Sequence, residues 1–200
     1  MARTGTRTSR PSRLSGCAAA IGLCLMAATP AAAGECKTLD MRTELIDGAT
    51  YCASSVLAPE AGNRYDAARL SYWNGTGDAW CEGAKGPGIG EWVTVAPRPK
   101  LPVRTIVIAN GYQKSTKTFA DNNRARRIRI ATENGTRVET DLADTRGEQR
   151  ISLPGWERLG RVRVTILSVY PGKRYDDTCL TIVWPDIEEQ RELEWQEMDR

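Results

Sequence analysis

Hydrophobic and polar residues alternate in a series of short segments along the chain. In residues 161–166, for example, three branched apolar residues alternate with two Arg and one Thr. Alternation of this kind places apolar side chains on one face of a β-strand and polar ones on the other. Because Gly, Pro and Asn separate the segments and helical periodicity is scarce, the pattern predicts an all-β fold, an antiparallel jelly-roll β-sandwich of about eight strands. The predicted strands are 51–57, 92–95, 103–109, 127–131, 138–142, 149–153, 161–166 and 179–184.

A Gly-rich loop interrupts this pattern between Trp80 and Trp92. The loop contains four Gly residues and one Pro, a composition that excludes a helix. It is either a tight turn packed by two core Trp side chains or a ligand-binding loop beside an aromatic surface. Both interpretations hold if Trp80 lies in the core and Trp92 does not.

The first 33 residues have a different pattern. Four Arg residues, the last of them Arg13, precede an uncharged segment of apolar and small residues at 14–33. This order is typical of a secretory signal peptide and predicts cleavage between Ala33 and Gly34 and a secreted or periplasmic protein. One alternative is an uncleaved membrane anchor, although the segment is rich in Ala and Gly rather than Leu. Another is lipoprotein processing at Cys17, although the apolar run follows that Cys instead of preceding it.

Removal of the signal peptide changes the charge of the chain. The net charge is +3, and loss of four Arg leaves −1, so the sequence gives no basic face for nucleic acid. The chain has no His, which excludes His-based catalysis and His metal sites. Carboxylate chemistry is still possible.

Four Cys residues follow the signal peptide, at Cys36, Cys52, Cys81 and Cys179. An even number of Cys in an exported chain favours disulfides, but four allow three pairings and their spacing does not choose among them. No C-x-x-C pair is present, which argues against a zinc ribbon.

The mature chain predicts one domain with flanking segments. Residues 34–50 are polar and suggest an irregular lead-in, and 51–184 form the sandwich. Residues 185–200 contain seven acids and two Arg, so we expect a solvated, partly helical or disordered tail. A partner-binding helix is the alternative, and no transmembrane span is expected after cleavage.

Three motifs resemble the bacterial NADase-type glycan-binding domain, a relative of the discoidin domains. They are AWCEGAKGPGIGEW at 79–92, NGY at 110–112 with KS at 114–115, and LSVYPGKRYDDTC at 167–179. The resemblance covers roughly residues 51–184 and implies a galactose-binding-like fold. It also implies disulfides between Cys81 and Cys179 and between Cys36 and Cys52.

Discoidin relatives often place a structural calcium at an Asp-Gly-Asp-Pro-type turn. Here the corresponding turn, 74–78, reads NGTGD and lacks the acidic pair, and Ile182 stands where the family usually has Glu. Calcium prefers several hard oxygen ligands, usually including carboxylates. We therefore expect no cofactor, with structural calcium as the alternative; the turn is explained by the backbone geometry of Asn-Gly.

The candidate ligand residues lie in three loops that the jelly-roll connection could gather at one end of the sandwich. Aromatic faces bind the C–H surface of a sugar, while amide and charged groups bind its hydroxyls. Ordinary hydrophilic loops would have a similar composition. The predicted ligand-binding residues are Glu82, Lys85, Trp92, Asn110, Tyr112, Lys114, Asn123, Arg124 and Tyr175.

These features predict an exported, non-catalytic binding module for a glycan or cell-surface carbohydrate. The first alternative is a protein-interaction module that binds another exported protein. The second is a carboxylate-dependent glycoside hydrolase, in which Glu82 and Glu91 would be the two acids.

Overall fold

The computed structural model describes Met1 and residues 34–71, 77–189 and 191. Apart from Met1, the predicted signal peptide at 1–33 therefore lies outside the described residues, as do residues 72–76 and most of the acidic tail. Within the described part, no helix has the length and apolar character needed to cross a membrane.

The described chain is built almost entirely of β-strands. Ten strands, one short α-helix and one 3₁₀ helix (Ala67–Leu70) occur in the described residues. They are β1 (Glu35–Asp40), β2 (Gly48–Ala53), β3 (Trp80–Cys81), β4 (Trp92–Arg98), β5 (Leu101–Asn110), α1 (Thr116–Asp121), β6 (Asn123–Thr132), β7 (Arg137–Asp141), β8 (Glu148–Leu159), β9 (Val162–Tyr170) and β10 (Thr178–Pro185).

The strands pair in the order β1-β2-β4-β9-β6-β10-β5-β8, with β7 added to β6 and β3 added to β10. All of these pairings are antiparallel except a short parallel contact between β6 and β10, where Thr178 lies opposite Asn123. The prediction of an all-β jelly-roll sandwich is confirmed. The parallel contact is the exception, and it brings the start of β10 beside the start of β6.

The larger of two hydrophobic cores in the described residues lies between the inner faces of the strands. The alternation in β9 is reproduced directly, because Val162, Val164 and Ile166 are each only 1% exposed. Trp80 is fully buried in the same core, and its indole N–H donates to the Ser55 carbonyl at 2.9 Å. Burying an aromatic side chain of this size makes Trp80 a large contributor to stability.

Residues 34–50 are more regular than the sequence pattern predicts. They include β1, which pairs with β2 in a register that sets Cys36 opposite Cys52. A disulfide joins these two residues. Polar residues form a strand here because an existing sheet edge supplies backbone partners and the disulfide fixes the register.

The second disulfide joins Cys81 of β3 to Cys179 of β10. The two residues are also direct register partners, so the bridge crosses a paired strand end. Their separation of 98 residues gives an expected stabilisation of about 4.7 kcal/mol in the chain-entropy treatment.

Three other segments differ from the sequence prediction. Strand β8 continues through Pro154 and Gly155 to Leu159, which an edge strand tolerates, and the pairing with β5 shifts register at this point. The predicted loop at 110–124 contains α1, whose first turn is capped by Ser115. The predicted tail at 185–200 starts within the fold, since Pro185 ends β10 and Ile187 is 5% exposed and belongs to the core.

Candidate ligand-binding site

A pocket of about 350 Å³ opens where three stretches of chain meet. The first stretch follows β2, the second lies between β5 and β6 and includes α1, and the third connects β9 to β10. Its size falls within the range of small-molecule sites. The aromatic and polar residues that line it include Glu60, Asn63, Tyr65, Tyr112, Lys114, Tyr175 and Asp177.

Hydrogen bonds from the backbone and from a side chain hold the second stretch against β10. The Gly111 N–H donates to the Cys179 carbonyl at 3.1 Å, and the Thr181 hydroxyl donates to the Gly111 carbonyl at 2.7 Å. Gly111 has φ 75°, and a Cβ there would lie 2.5 Å from Cγ of Arg124. Only glycine therefore makes this turn without strain, and the turn directs Tyr112 toward the pocket.

The third stretch is tied to the C-terminal end of α1. The backbone N–H groups of Arg174 and Tyr175 both donate to the Asp121 carbonyl, at 3.0 and 2.8 Å, and Lys173 donates to Ala120 at 3.0 Å. These bonds satisfy carbonyls that a helix end leaves free. They also fix the backbone that carries Tyr175 at the rim.

Three Tyr side chains give the pocket its aromatic surface. The rings of Tyr65 and Tyr112 meet edge to face, with centroids 6.1 Å apart, and both are nearly buried. Burial is the main cause that raises the pKa of each above the usual value for Tyr. Tyr175 is instead 41% exposed and presents a ring to an incoming ligand.

The charged groups of the pocket differ in how they are paired. Lys114 donates to Oδ1 of Asn63 at 2.9 Å and lies 3.5 Å from Oδ1 of Asp78. The carboxylates of Glu60 and Asp177 make no ion pair within the described part of the chain. Burial, the neighbouring Asp176 and then Glu60 raise the pKa of Asp177.

The structure brings three of the nine predicted ligand residues into this pocket, namely Tyr112, Lys114 and Tyr175. The other six lie elsewhere, and in five of them the polar or aromatic group is already engaged by the protein itself.

Asn110 and Asn123 use their amides to join strands. The Asn110 amide donates to the Ala125 carbonyl at 2.7 Å and accepts from the Ala125 N–H at 2.9 Å. Asn123 donates to the Asp176 carbonyl at 2.7 Å and accepts from the Gly172 N–H at 2.6 Å. Both side chains are buried, so these amides stabilise the fold instead of facing a ligand.

Arg124 is also held internally. Its guanidinium makes two hydrogen bonds to the Asp144 carboxylate, at 2.8 and 2.7 Å. It donates further to the Pro171 carbonyl at 3.1 Å and lies 5.4 Å from the ring centroid of Phe119. This paired, stacked geometry is typical of a structural Arg.

The three predicted residues of the Gly-rich region lie outside the pocket lining. Trp92 is half-buried, and the Arg163 guanidinium stacks 4.0 Å from its ring centroid. Lys85 is exposed on the loop. Glu82 is fully buried, and its two oxygens accept from the N–H groups of Thr178 and Ala84 at 3.1 and 2.8 Å.

The carboxylate of Glu91, the second acid of the hydrolase alternative, is also hydrogen-bonded within the protein. Its carboxylate accepts from the hydroxyls of Ser54 and Ser55, each at 2.5 Å. The Ser55 hydroxyl in turn accepts from the Gly83 N–H at 2.9 Å. Glu82 and Glu91 therefore both brace the Gly-rich loop.

The turn considered for calcium lies mostly outside the described residues. Of its described members, Asp78 faces cations already, with Oδ2 3.4 Å from Arg69 and Oδ1 3.5 Å from Lys114. Among the residues described, no group of three or more His, Cys, Asp or Glu side chains is arranged to hold a metal ion.

Sequence reasoning missed six polar lining residues, Glu60, Asn63, Tyr65, Thr118, Asn122 and Asp177. Asn63 and Tyr65 follow Pro59 in an irregular stretch, and Asp177 stands two residues before Cys179. A polar, aromatic stretch beside a predicted strand end is a usable signal. It becomes specific only once the Cys81–Cys179 bridge brings these stretches together.

Comparison with solved structures gives distant matches. A structure of the arabinofuranosyltransferase AftD from Mycobacteria has a TM-score of 0.52 and 16% identity over 77% of this chain, but this chain covers 12% of that protein. The likeness supports the fold alone. The family 32 carbohydrate-binding module of NanJ from C. perfringens, in complex with galactose, has a TM-score of 0.49 and 13% identity, covering 68% of this chain and 90% of that one.

No curated protein matches the chain. The model of the NAD glycohydrolase translocation F5/8 type C domain family matches residues 46–184, a range that includes the strands β2 to β9, nearly all of β10 and every lining residue of the pocket. The chain belongs to this family, and its discoidin-like sandwich is the family's domain.

Proposed function

We propose that this chain is a non-catalytic carbohydrate-binding module that holds a sugar in the pocket at the Tyr112 end of the sandwich. The observation that carries the proposal is the composition of the pocket. It combines an exposed aromatic ring, a nearly buried Tyr pair and several polar groups in about 350 Å³.

Each part of a sugar has a suitable partner in this arrangement. The exposed ring of Tyr175 offers a face for the C–H side of a pyranose. Lys114, Asn63 and the Tyr112 hydroxyl can donate to sugar oxygens, and the carboxylate of Asp177 can accept from sugar hydroxyls.

Two observations support an exported, non-catalytic protein. Disulfides persist in oxidising compartments, and the structure contains two of them. The acids that a hydrolase would need in the Gly-rich region, Glu82 and Glu91, are engaged in hydrogen bonds of the loop. The expected targets are therefore glycans or cell-surface carbohydrates outside the cytoplasm.

The proposal is tested by a glycan array followed by titration of the sugars that bind. Tyr175→Ala should abolish binding, because it removes the exposed ring of the pocket. Trp156→Ala is a matched control, since Trp156 is also 41% exposed but lies on β8, outside the pocket lining. Loss of binding in Trp156→Ala with normal binding in Tyr175→Ala would place the site elsewhere. If the array shows no sugar and an exported protein partner binds instead, the protein-interaction alternative is correct.

A further inference from the structure

The side chains that line the pocket include two carboxylates and one ammonium group. Glu60 and Asp177 both line it, and the negative charge of Glu60 contributes to the raised pKa of Asp177. Two carboxylates that lack a cation between them repel each other, and this repulsion is a cost that a cationic ligand would relieve.

Lys114, the cationic side chain in the described lining of the pocket, does not supply that cation. Lys114 is directed toward Asn63 and Asp78, at 2.9 and 3.5 Å, and Asp78 does not line the pocket. The ammonium group of Lys114 therefore interacts with Asn63 and Asp78. The carboxylates of Glu60 and Asp177 remain available to a cationic group of the ligand.

A second, independent feature indicates that the pocket receives a polar ligand. Tyr112 lines it while being only 5% exposed, and its hydroxyl has no hydrogen-bond partner among the residues described. The hydroxyl oxygen is not one of the buried side-chain atoms that lack a partner, so it is accessible from the pocket, where it can form a hydrogen bond with a polar ligand.

We propose that the ligand is an amino sugar, a hexosamine residue whose free amine is protonated, and that its ammonium lies between Glu60 and Asp177 while a ring oxygen or hydroxyl meets Tyr112. This inference rests on the proposed carbohydrate-binding function. An ammonium suits two carboxylates because it offers three donors and needs no further ligands. A calcium ion would need six to eight oxygens, which this pair does not supply.

The test uses sugars that differ at one position. Oligomers of glucosamine, N-acetylglucosamine and glucose, and the same three forms in the galactose series, are titrated against the full chain by calorimetry. The free-amine form should bind roughly tenfold or more tightly than its acetylated and hydroxyl counterparts in at least one series, because hydrogen bonds to charged groups are the stronger class. Added salt should reduce this preference.

Variants then assign the preference to the two acids. Glu60→Gln and Asp177→Asn should each weaken binding of the free-amine form more than binding of the neutral forms, and so remove most of the amine preference. Glu148→Gln is the control, since Glu148 is exposed at the start of β8 and does not line the pocket. Melting curves of all three variants check that folding is unchanged.

The outcomes separate this inference from the function on which it rests. Equal binding of amine and neutral forms, or preference unaffected by both acid variants, overturns the amino-sugar inference but leaves carbohydrate binding intact. A calcium-induced rise in melting temperature that disappears in Asp177→Asn also overturns it. The carbohydrate function itself is contradicted if no sugar of either series binds and Tyr175→Ala binds an exported protein partner as tightly as wild type does.

Discussion

The Gly-rich loop and the Tyr112 pocket contain similar residues and use them in opposite ways. Each has a buried or half-buried carboxylate with a raised pKa, Glu82 in the loop and Asp177 in the pocket. Both oxygens of Glu82 accept backbone N–H groups. The Asp177 carboxylate instead lines a cavity and makes no ion pair in the described chain.

This difference shows which loop residues are available to a ligand. A polar side chain that completes the hydrogen bonding of its own backbone is part of the fold, however exposed its loop looks in the sequence. A polar side chain left without a partner in a concave site is a candidate for binding. The following predictions test this contrast, in order of decreasing effect on the free energy of unfolding.

Replacing Glu82 by Ala should cause the largest loss of stability. It leaves the N–H groups of Thr178 and Ala84 without their acceptors, and unsatisfied buried donors cost roughly 1–3 kcal/mol each. We expect a decrease of about 3 kcal/mol in urea unfolding at pH 7. Lys85→Ala, on the same loop but exposed, should change stability by less than about 0.5 kcal/mol. Equal stability of the two variants would refute the structural role of Glu82.

The stability that depends on Glu82 should fall as pH rises. Burial raises the pKa of Glu82 from 4.5 to about 7, although the N–H groups of Thr178 and Ala84 lower it. Between these two values the folded protein binds a proton that the unfolded chain has released, so the contribution is complete below pH 4.5 and is lost as pH rises through 7. From pH 5 to pH 8, wild type should lose about 2 kcal/mol relative to Glu82→Gln. A pH-independent difference between the two proteins would contradict this assignment.

Replacing Gly88 by Ala should test how closely the loop packs on Glu82. Gly88 has φ 67°, and a Cβ there would lie 2.5 Å from Cγ of Glu82. Gly86 is the matched control, because it also has positive φ, 93°, but a Cβ there would meet no atom within 4 Å. The backbone strain of about 1 kcal/mol is common to both, so Gly88→Ala should be the less stable by about another 1–2 kcal/mol. Thermal unfolding of both variants measures the difference.

Replacing Tyr112 by Phe should have the smallest effect on stability and a clear effect on binding. The change keeps the ring that packs on Tyr65 and removes only a hydroxyl that has no partner among the described residues. We expect a stability change below about 0.5 kcal/mol and a loss of roughly fivefold or more in affinity for the bound sugar. An unchanged affinity in titration would remove Tyr112 from the set of ligand-binding groups.

The sequence predicted the fold well where apolar residues alternate. Strands β5, β6, β9 and β10 all begin and end within a few residues of their predicted limits, because each buries apolar residues in the core. Strand β1 was missed because its residues are mostly exposed, so it lacks the apolar face on which the prediction depends. The helix α1 was missed because it has only six residues, none of them buried.

The site was predicted less completely than the fold. The motif around Tyr112 lies in a loop that lines the pocket, and Tyr112, Lys114 and Tyr175 are together there. Arg124 looked equally suitable in the sequence but is paired with Asp144. Residue type states what a side chain can bind, whereas its partner in the fold decides whether it is free to do so.

The sequence by itself determined that this chain forms a β-sandwich, because alternation is a local property that each strand carries in its own residues. The tertiary structure decided which polar groups form hydrogen bonds within the protein and which of them line the pocket. Those outcomes depend on partners far away along the chain, such as Thr178 for Glu82, separated by 96 residues, and Asn63 for Lys114, separated by 51. Hydrogen bonds are short-ranged in space, so only the folded arrangement shows which of these groups meet.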